Sequence, residues 1–292
     1  MSDAPRRIDL HAHSTASDGT DPPAEVLRRA RAAGVDVLAL TDHDTVAGWG
    51  EARGSVPAGL TVVPGCEVSC AVPGALGDRR RVSVHVLAYL FDPDEPSFRQ
   101  ERDNLRDDRE RRADAIVDRL IELGAPVSHD RVREIAGGGA IGRPHIARAL
   151  VAAGVVSDVS AAFSDEWIGA RGRAYVDKYA LDPVHAVALI RAAGGVAVLA
   201  HPGAPTRGET VREDVIARMA AAGLAGIEVD HPDHTPETRT RLRELASDLG
   251  VVTTGSSDDH GALTGYRVGC ETTQPYVWAE LRSRASGGQP WS

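Results

Sequence analysis

The sequence has few aromatic residues, few cysteines and no long hydrophobic run, and each shortage excludes a class of protein. Aromatic residues make up 4% of the 292 residues, so the core must be built from Val, Leu, Ile and Ala, which the hydrophobic content of 42% supplies. The three cysteines Cys66, Cys70 and Cys270 are an odd number without paired spacing, which argues against a disulfide framework or a zinc ribbon. No apolar run approaches the roughly 20 residues that a membrane span needs.

The chain also lacks a basic charge balance and an apolar signal segment. Its net charge is −9, whereas proteins that bind duplex nucleic acid through the phosphate backbone usually carry a basic surface. The first seven residues contain no apolar signal region, so we expect a cytoplasmic protein. We expect no membrane association, no duplex DNA binding and no obligate protein partner. A phosphorylated substrate remains possible, because bound metal ions can invert the local charge of a pocket.

Short apolar strands alternate with helical segments over most of the chain, which predicts an α/β fold with a mainly parallel sheet. Residues 95–185 are charge-dense and helical, without a visible strand. The pattern therefore predicts a barrel domain of residues 1–94 and 186–292, and a helical insertion of residues 95–185 that forms a lid over the barrel mouth. No glycine-rich phosphate-binding loop follows any strand. We expect residues 285–292 to be a frayed tail.

Six of the eleven histidines lie where a predicted strand gives way to a loop, with acidic or small residues beside them. These six are His11, His13, His43, His85, His201 and His260. Strand ends meet at one mouth of an α/β barrel, and active sites lie there. Imidazole and carboxylate groups are ligands of transition-metal ions. The sequence therefore predicts a site for several metal ions at the barrel mouth, and with it metal-assisted hydrolysis.

The carboxylates of these segments have alternative explanations. Asp18 could be a ligand, although an Asp before Gly is more often a turn residue. Glu67 lies in an apolar segment and needs a cation or hydrogen-bond partners, so we predict that it bridges two metal ions. Asp258 shares a Gly/Ser-rich loop with His260. We expect Asp44 to cap the following helix.

Four further residues are candidates for substrate contact. Arg143 and Lys178 are candidate phosphate ligands, because arginine in particular suits bidentate contact to phosphate. Solvated charges on the insertion would explain both residues equally well. His231 and His234 follow another predicted strand and could protonate a leaving group, or they could lie at the surface beside a proline turn.

Taken together, these segments resemble the PHP (polymerase and histidinol phosphatase) superfamily of metal-dependent phosphoesterases. The resemblance runs through residues 9–14, 17–19, 41–44, 65–67, 84–85, 200–202 and 257–261. It is strongest to the bacterial branch of 3′,5′-nucleotide bisphosphate phosphatases and 5′–3′ exoribonucleases. That branch also has a helical insertion and a Gly-Arg-Pro-His segment, which here is Gly142-Arg143-Pro144-His145.

The resemblance implies a distorted (β/α)7 barrel with an inserted small helical domain, and a trinuclear metal site. It implies a first metal held by His11, His13, Glu67 and Asp258. It implies a second held by Glu67, His85 and His201, and a third held by Asp18, His43 and His260. The histidine-rich ligand set favours Mn, Fe or Zn as the three divalent ions. One departure is Asp230, at a position near the substrate where the family leads us to expect an aromatic residue.

The implied activity is hydrolysis of phosphomonoesters of nucleotides, either 3′,5′-bisphosphates or nucleoside monophosphates, or of the 5′ ends of short RNA. Metal ions bridged by Glu67 would lower the pKa of a shared water and give a hydroxide nucleophile. We expect Glu67, Asp258 and Arg143 to be catalytic, and Arg143, Lys178, His231 and His234 to bind substrate. The alternatives are a histidinol-phosphate phosphatase, a polymerase-associated module, which the missing polymerase domain disfavours, and a non-catalytic metal-binding protein.

Overall fold

The computed structural model describes residues 6–74, 81–137, 141–204 and 210–292. Seven strands form one sheet in the order of the chain. They are β1 (Ile8–Asp9), β2 (Val37–Leu40), β3 (Thr61–Pro73), β4 (Arg81–Tyr89), β5 (Val196–Ala200), β6 (Gly226–Asp230) and β7 (Val252–Gly255). Past β1 and β7, the Asp259 carbonyl accepts a hydrogen bond of 2.9 Å from the His13 N–H. This contact brings the two ends of the sheet together into a nearly closed barrel, so the predicted α/β barrel is confirmed.

Ten α-helices lie in the described ranges, and six of them have proline in the first turn. They are α1 (Pro23–Ala32), α2 (Trp49–Gly54), α3 (Pro96–Glu122), α4 (His129–Ala136), α5 (Arg143–Ala152), α6 (Val159–Ala162), α7 (Pro183–Ala192), α8 (Glu213–Ala221), α9 (Pro236–Leu249) and α10 (Pro275–Arg284). Proline fits the first turn because its φ is fixed near the helical value. An N–H group in the first turn has no intrahelical acceptor, so a residue without one loses no hydrogen bond there. None of these helices is long and apolar enough to cross a membrane.

The barrel interior changes from apolar to polar along the strands. Successive inward positions of β3 are Val63, Gly65, Glu67 and Ser69, because side chains alternate across a strand. Val63 belongs to an interior cluster that also contains Leu87, Tyr89, Val196 and Val198 and that α10 closes with Val277, Trp278 and Leu281. Above this apolar layer the inward positions are polar, so the strands themselves direct the site residues toward one mouth.

The sheet is less parallel than the sequence indicates. β4 pairs antiparallel with both β3 and β5, because the connection from β3 to β4, residues 74–80, is shorter than the dozen or so residues that a parallel crossover needs. His85 therefore lies inside β4 rather than at its end, opposite Ser69 on one side and Ala200 on the other. β3 continues well past Glu67, because its pairing with β4 extends to Pro73 and Arg81.

Helix α3 joins the barrel to the helices that follow it. At about 1.5 Å per residue it is roughly 40 Å long. Phe98 and Leu105 in its first half pack with residues of the barrel strands. Ile116 and Leu120 in its second half pack in a separate cluster formed with α4, α5, α6 and the segment after α6. One continuous helix therefore ties the two apolar cores together.

The C-terminal tail is held against the barrel, so the expectation of fraying is wrong. The N–H groups of Ser286 and Gly287 donate to the Gly194 carbonyl at 2.8 and 3.0 Å, and Trp291 exchanges two backbone hydrogen bonds of 2.8 Å with Val62. The Trp291 ring also packs against Trp49, with 5.7 Å between ring centroids. Gly/Ser composition predicted mobility, but these backbone partners and the tryptophan provide an anchor.

We predict that Trp291→Ala lowers the free energy of unfolding by about 2 kcal/mol, because a half-buried indole loses its apolar contacts. Chemical denaturation monitored by circular dichroism measures this change. Tyr276→Ala is the matched control, since that ring is 70% exposed and should change stability by less than about 0.5 kcal/mol. Equal effects of the two substitutions would show that the tail contributes nothing through Trp291.

Candidate metal centre and the adjoining cavity

Five histidine rings form a closed circle at the barrel mouth. Neighbouring ring centroids in this circle lie 4.7–5.6 Å apart, in the order His11, His13, His43, His85, His201 and back to His11. The ring of His260 stacks on His13 at 4.0 Å. All six histidines selected from the sequence are therefore brought into one cluster, His85 by β4 and the other five by the loops after β1, β2, β5 and β7.

Glu67 lies at the centre of this circle and is completely buried. Its Oε2 atom lies 3.1–3.2 Å from a ring nitrogen of His11, His13 and His43. Its Oε1 atom lies 2.7 and 3.0 Å from ring nitrogens of His85 and His201. One carboxylate thus contacts all five rings, which is the arrangement expected of a group shared between metal ions.

Asp18 and Asp258 flank the cluster on either side of His13. Asp258 Oδ1 lies 3.3 Å from both His11 Nε2 and His13 Nε2. Asp18 lies 3.4 Å from a nitrogen of His260 and 3.7 Å from one of His43. Among the described residues, donor atoms close enough to share one ion occur in four sets, which are His11/His13/Glu67/Asp258, His13/Asp18/His43/His260, His43/Glu67/His85 and His11/His201/Glu228.

These sets agree in part with the grouping that the resemblance implied. The first set is the same, and the second adds His13 to the expected three residues. In the third, His43 takes the place of His201, although His201 remains in contact with Glu67. All nine predicted ligands therefore lie together.

The donor set fits divalent cations. Burial alone would raise the pKa of the Glu67 carboxyl, but its contacts with the surrounding imidazoles, His43 first among them, hold that pKa well below its usual value. Within the described residues, the buried atoms His43 Nδ1 and Glu67 Oε2 lie 3.1 Å apart without the geometry of a hydrogen bond, and neither has another hydrogen-bond partner. Nitrogen and carboxylate donors collected this tightly away from water need a compensating positive charge.

Three further aspartates hold the loops that carry these donors. Asp9 accepts hydrogen bonds from the backbone of Ser257 and Gly269, at 3.0 and 2.7 Å. Asp42 accepts from the N–H and hydroxyl of Ser14, at 2.8 and 2.7 Å. Asp259 likewise accepts from three groups of the loop that follows it. The acidic residues beside the histidines thus fix the loop backbones.

Glu228 is a buried carboxylate that the sequence reasoning missed. It contacts His11 Nδ1 at 3.1 Å, on the side of the ring opposite Glu67, and it accepts the His201 N–H at 2.8 Å. The Ser256 hydroxyl also donates to it. A carboxylate behind a metal-binding imidazole fixes the ring orientation and tautomer. The available signal was a glutamate between two apolar residues of a strand, as for Glu67.

Asp44 does not cap a helix, so that expectation is wrong. Helix α2 begins only at Trp49, and the Asp44 carboxylate accepts the Ser69 N–H at 2.6 Å and its hydroxyl at 2.8 Å. The Arg109 Nε on α3 donates to the same carboxylate at 2.6 Å. Asp44 therefore fastens the helical insertion to the loop that carries His43.

A cavity of about 710 Å³ opens directly beside the cluster. One wall contains five of the clustered side chains, which are Asp18, His43, His85, His201 and His260. The same cavity is lined by four cationic side chains of α3, α5 and the segment after α6, which are Arg109, Arg112, Arg143 and Lys178. The predicted Arg143 and Lys178 thus face the cavity, whereas Arg109 and Arg112 were missed because α3 is rich in arginine throughout.

These cations are partly withdrawn from water. Burial lowers the pKa of Arg112 to about 10, and it lowers the pKa of Lys178 to about 7 with the help of Arg109. In the described part of the chain, no carboxylate lies within ion-pair distance of Arg112, Arg143 or Lys178. Lys178 Nζ instead donates to the Ser83 hydroxyl at 2.9 Å. The wall is therefore electropositive and suited to an anion.

The other predicted contact residues lie away from the cavity. His231 is completely buried, 3.3 Å from Asp258. His234 is held between the Val229 carbonyl and the Gly203 N–H. Asp230 pairs with Arg239 and Arg243. These contacts favour structural roles, and the substrate roles of His231 and His234 stay predictions.

Comparison with known proteins assigns the family. A PHP domain model matches residues 9–125. The chain is 35% identical to a 5′–3′ exoribonuclease of Haemophilus influenzae over 87% of its length and 90% of the relative. The chain belongs to the PHP family. It is a metal-dependent phosphoesterase, and therefore a hydrolase, in agreement with the resemblance seen in its sequence.

Other PHP relatives match over nearly the whole chain. A 3′,5′-nucleoside bisphosphate phosphatase of Chromobacterium violaceum is 34% identical over 95% of this chain and 97% of its own. A phosphoribosyl 1,2-cyclic phosphate 1,2-diphosphodiesterase of Eggerthella lenta is 35% identical over 89% and 98%.

Two solved structures support the fold. A candidate metal-dependent phosphoesterase of Bifidobacterium adolescentis has a TM-score of 0.88 at 34% identity, covering 97% of this chain and 98% of that one. An amidohydrolase of C. violaceum, with bound sulfate and no metal, has a TM-score of 0.81 at 33% identity, covering 96% and 97%.

We predict that Glu228→Gln weakens metal binding by about 10- to 100-fold, because a neutral amide replaces the charged carboxylate that orients the His11 ring. Competition titration with a metal indicator measures this affinity without any assay of activity. Glu244→Gln on the exposed side of α9 is the matched control. If both variants bind metal as the unaltered protein does, Glu228 has no role behind His11.

Proposed function

We propose that this PHP phosphoesterase hydrolyses phosphomonoesters of nucleotides, with 3′,5′-bisphosphates, nucleoside monophosphates and the 5′ ends of short RNA as its substrates. The observation that carries the proposal is the cavity shared by the histidine cluster and the four cationic side chains of the insertion. The names of the relatives, a bisphosphate phosphatase and an exoribonuclease, support the same substrate class.

The charge distribution explains why such substrates would enter. The protein has a net charge of −9, yet Arg109, Arg112, Arg143 and Lys178 gather in one partly buried wall. Charges that converge in a cleft with low-dielectric walls attract oppositely charged ligands more strongly than the same charges in water. A substrate with phosphate groups at two positions can contact the cluster with one and this wall with the other.

We propose three divalent ions, of Mn, Fe or Zn, held as the resemblance implies. His11, His13, Glu67 and Asp258 would hold the first ion. Glu67, His85 and His201 would hold the second, and Asp18, His43 and His260 the third. Such ions, when bound, supply Lewis acidity and activate water for attack on phosphorus.

The side chains of the protein do the remaining work. Glu67 keeps five imidazoles in fixed positions, and Asp258 fixes His11 and His13 from the other side. Arg143 binds phosphoryl oxygens and stabilises the charge that develops on them. Arg109 is oriented for the same task by Asp44 and Ser69. Residues 95–185 form a lid that limits access to a mononucleotide or a single-stranded end.

The cationic wall argues against the main alternative. Histidinol phosphate carries an ammonium group, which would be repelled by Arg109, Arg112, Arg143 and Lys178. A non-catalytic metal-binding protein has no need for an electropositive cavity beside its metal site. Nucleotides, by contrast, complement both walls.

A phosphate-release screen with metal-reconstituted protein tests the proposal. Nucleoside bisphosphates, nucleoside monophosphates and 5′-phosphorylated oligoribonucleotides should release phosphate, and histidinol phosphate should not. A ribosyl cyclic phosphate would be included as a phosphodiester substrate. Release from histidinol phosphate alone, or from no phosphoester, would contradict the proposed function.

We predict that Glu67→Ala abolishes turnover in this screen, because five imidazoles lose their common partner. Circular dichroism establishes that the variant is folded. Glu122→Ala at the exposed end of α3 should retain full activity. Near-normal turnover by Glu67→Ala would refute its central position in catalysis.

Lys178 should make substrate affinity fall as the pH rises through about 7, the value to which burial lowers its pKa. The side chain is charged below this pH and neutral above it, so the anion loses one charged donor. We expect KM for a nucleotide to rise about tenfold between pH 6 and pH 8.5, which corresponds to one charge-assisted hydrogen bond.

Lys178→Arg is the matched control, because arginine stays charged over this range. At each pH, the KM of Lys178→Arg is divided by the KM of the unaltered protein. This ratio is independent of the titrations that both proteins share, including those of the substrate. Parallel profiles for the two proteins would exclude Lys178 as the source of the pH dependence.

A further inference from the structure

Phe163 exposes an aromatic ring on the wall of the cavity. In the described ranges, five large hydrophobic side chains are exposed, namely Ile121, Phe163, Tyr179, Tyr266 and Tyr276. Two of them, Phe163 and Tyr179, line the cavity beside the histidine cluster. Scattered exposed hydrophobic residues are normal, but aromatic rings that line a cavity offer a surface that a ligand can cover.

The position of Phe163 is fixed by the backbone around it. Ala162 and Ile168 on either side are completely buried, and the Ile168 N–H donates to the Ala162 carbonyl at 3.0 Å. The Gly169 N–H closes the turn on Ser164, also at 3.0 Å. A Cβ atom at Gly169 would lie 2.4 Å from the Phe163 carbonyl oxygen. The tight turn therefore requires glycine, and it presents Phe163 in one place.

The surroundings of Phe163 combine apolar surface with positive charge. The Arg143 guanidinium lies 5.3 Å from the centroid of the Phe163 ring, and Val159 and Ala170 line the same cavity. A ligand that complements this part of the wall has a flat apolar group close to an anionic one. The volume of about 710 Å³ holds far more than a phosphate group.

We propose that the base of the substrate stacks on Phe163, and that this contact makes the enzyme prefer nucleotides to sugar phosphates. The proposal rests on the nucleotide phosphoesterase function proposed above and adds a specificity residue to it. Tyr179 is a weaker candidate, because its hydroxyl donates to Glu101 at 2.8 Å and its N–H to Asp108 at 2.7 Å. These bonds hold Tyr179 against α3.

Stacking has a definite consequence for selectivity. Every base has an aromatic face, so an aromatic platform binds bases with little regard to their identity. The enzyme should therefore require a base but accept any of the four. An enzyme that removes nucleotides from an RNA end needs this tolerance. Purines should bind more tightly than pyrimidines because they cover more of the ring.

The test compares binding of two non-hydrolysable probes, the methylenephosphonate analogues of AMP and of ribose 5-phosphate, to the metal-loaded protein by isothermal titration calorimetry. Phe163→Leu keeps an apolar side chain and removes the aromatic face. We expect its Kd for the AMP analogue to rise about tenfold, which is within the range measured for base–aromatic stacking. Its Kd for the ribose analogue should stay unchanged, and Phe163→Trp should bind the AMP analogue at least as tightly as the unaltered protein.

The ribose probe separates stacking from an indirect effect through Arg143. An equal loss of affinity for both probes would mean that Phe163 only positions Arg143, and it would overturn the proposal. Unchanged binding of both probes would overturn it as well. Tyr276→Leu is the matched control, since that exposed ring does not line the cavity. Because the readout is a Kd, failure of the stacking proposal is distinguishable from failure of the turnover screen.

Discussion

The arrangement of residues at the barrel mouth depends on the buried carboxylate of Glu67 and the five imidazoles around it. Removing a carboxylate from water costs several kcal/mol, and five further polar rings are drawn into the same volume. The strand framework enforces this arrangement, because Glu67 and His85 occupy inward positions of neighbouring strands. Gly65 contributes by allowing a close approach, since a Cβ there would lie 2.8 Å from the Thr41 side chain. Backbone strain is concentrated around the same cluster, where Asp44, His201 and Asp258 have positive φ values. Strain of this kind persists only where the surroundings over-determine it, and the aspartate-held loops provide that constraint.

Much of this arrangement could be predicted from the sequence, because the relevant signals are local. An acidic residue next to a histidine at the end of an apolar strand is a pattern of neighbouring residues, and it identifies the groups around His11, His43 and His260. The barrel follows from the alternation of strands and helices. The direction of β4 was missed because the short connection that dictates it becomes visible only when the end of β3 at Pro73 is known, and β3 reaches that far through its pairing with β4. His85 nevertheless reaches the cluster, since an inward position near the middle of an antiparallel strand lies at the same level as the ends of its parallel neighbours.

The features that escaped prediction depend on contacts between distant parts of the chain. Asp44 has the pattern of a helix cap, and only the folded structure shows that Ser69 and Arg109 occupy its carboxylate instead. Arg109 and Arg112 are two of many arginines on α3, and nothing in the sequence distinguishes the two that face the cavity. Glu228 was overlooked because it has no histidine beside it in its strand. Its partner His11 is 217 positions away. In each case the side chain had an adequate local explanation, and tertiary contacts overrode it.

The same division between barrel and insertion explains how specificity can change while chemistry stays constant. The groups that fit metal ions come from the strands and their loops, whereas the cationic wall and Phe163 come from α3 to α6 and the segment that follows. Relatives at 34–35% identity over most of their length carry the names of an exoribonuclease, a bisphosphate phosphatase and a cyclic diesterase. Side chains on helices that pack around a separate apolar core can change without disturbing Glu67, provided that these helices keep their position relative to the cluster. The ion pair of Asp44 and Arg109 fixes that position, because Asp44 follows His43 directly and Arg109 lines the cavity. The side chains of α3 to α6 are therefore free to vary, whereas the position of these helices beside the cluster is constrained.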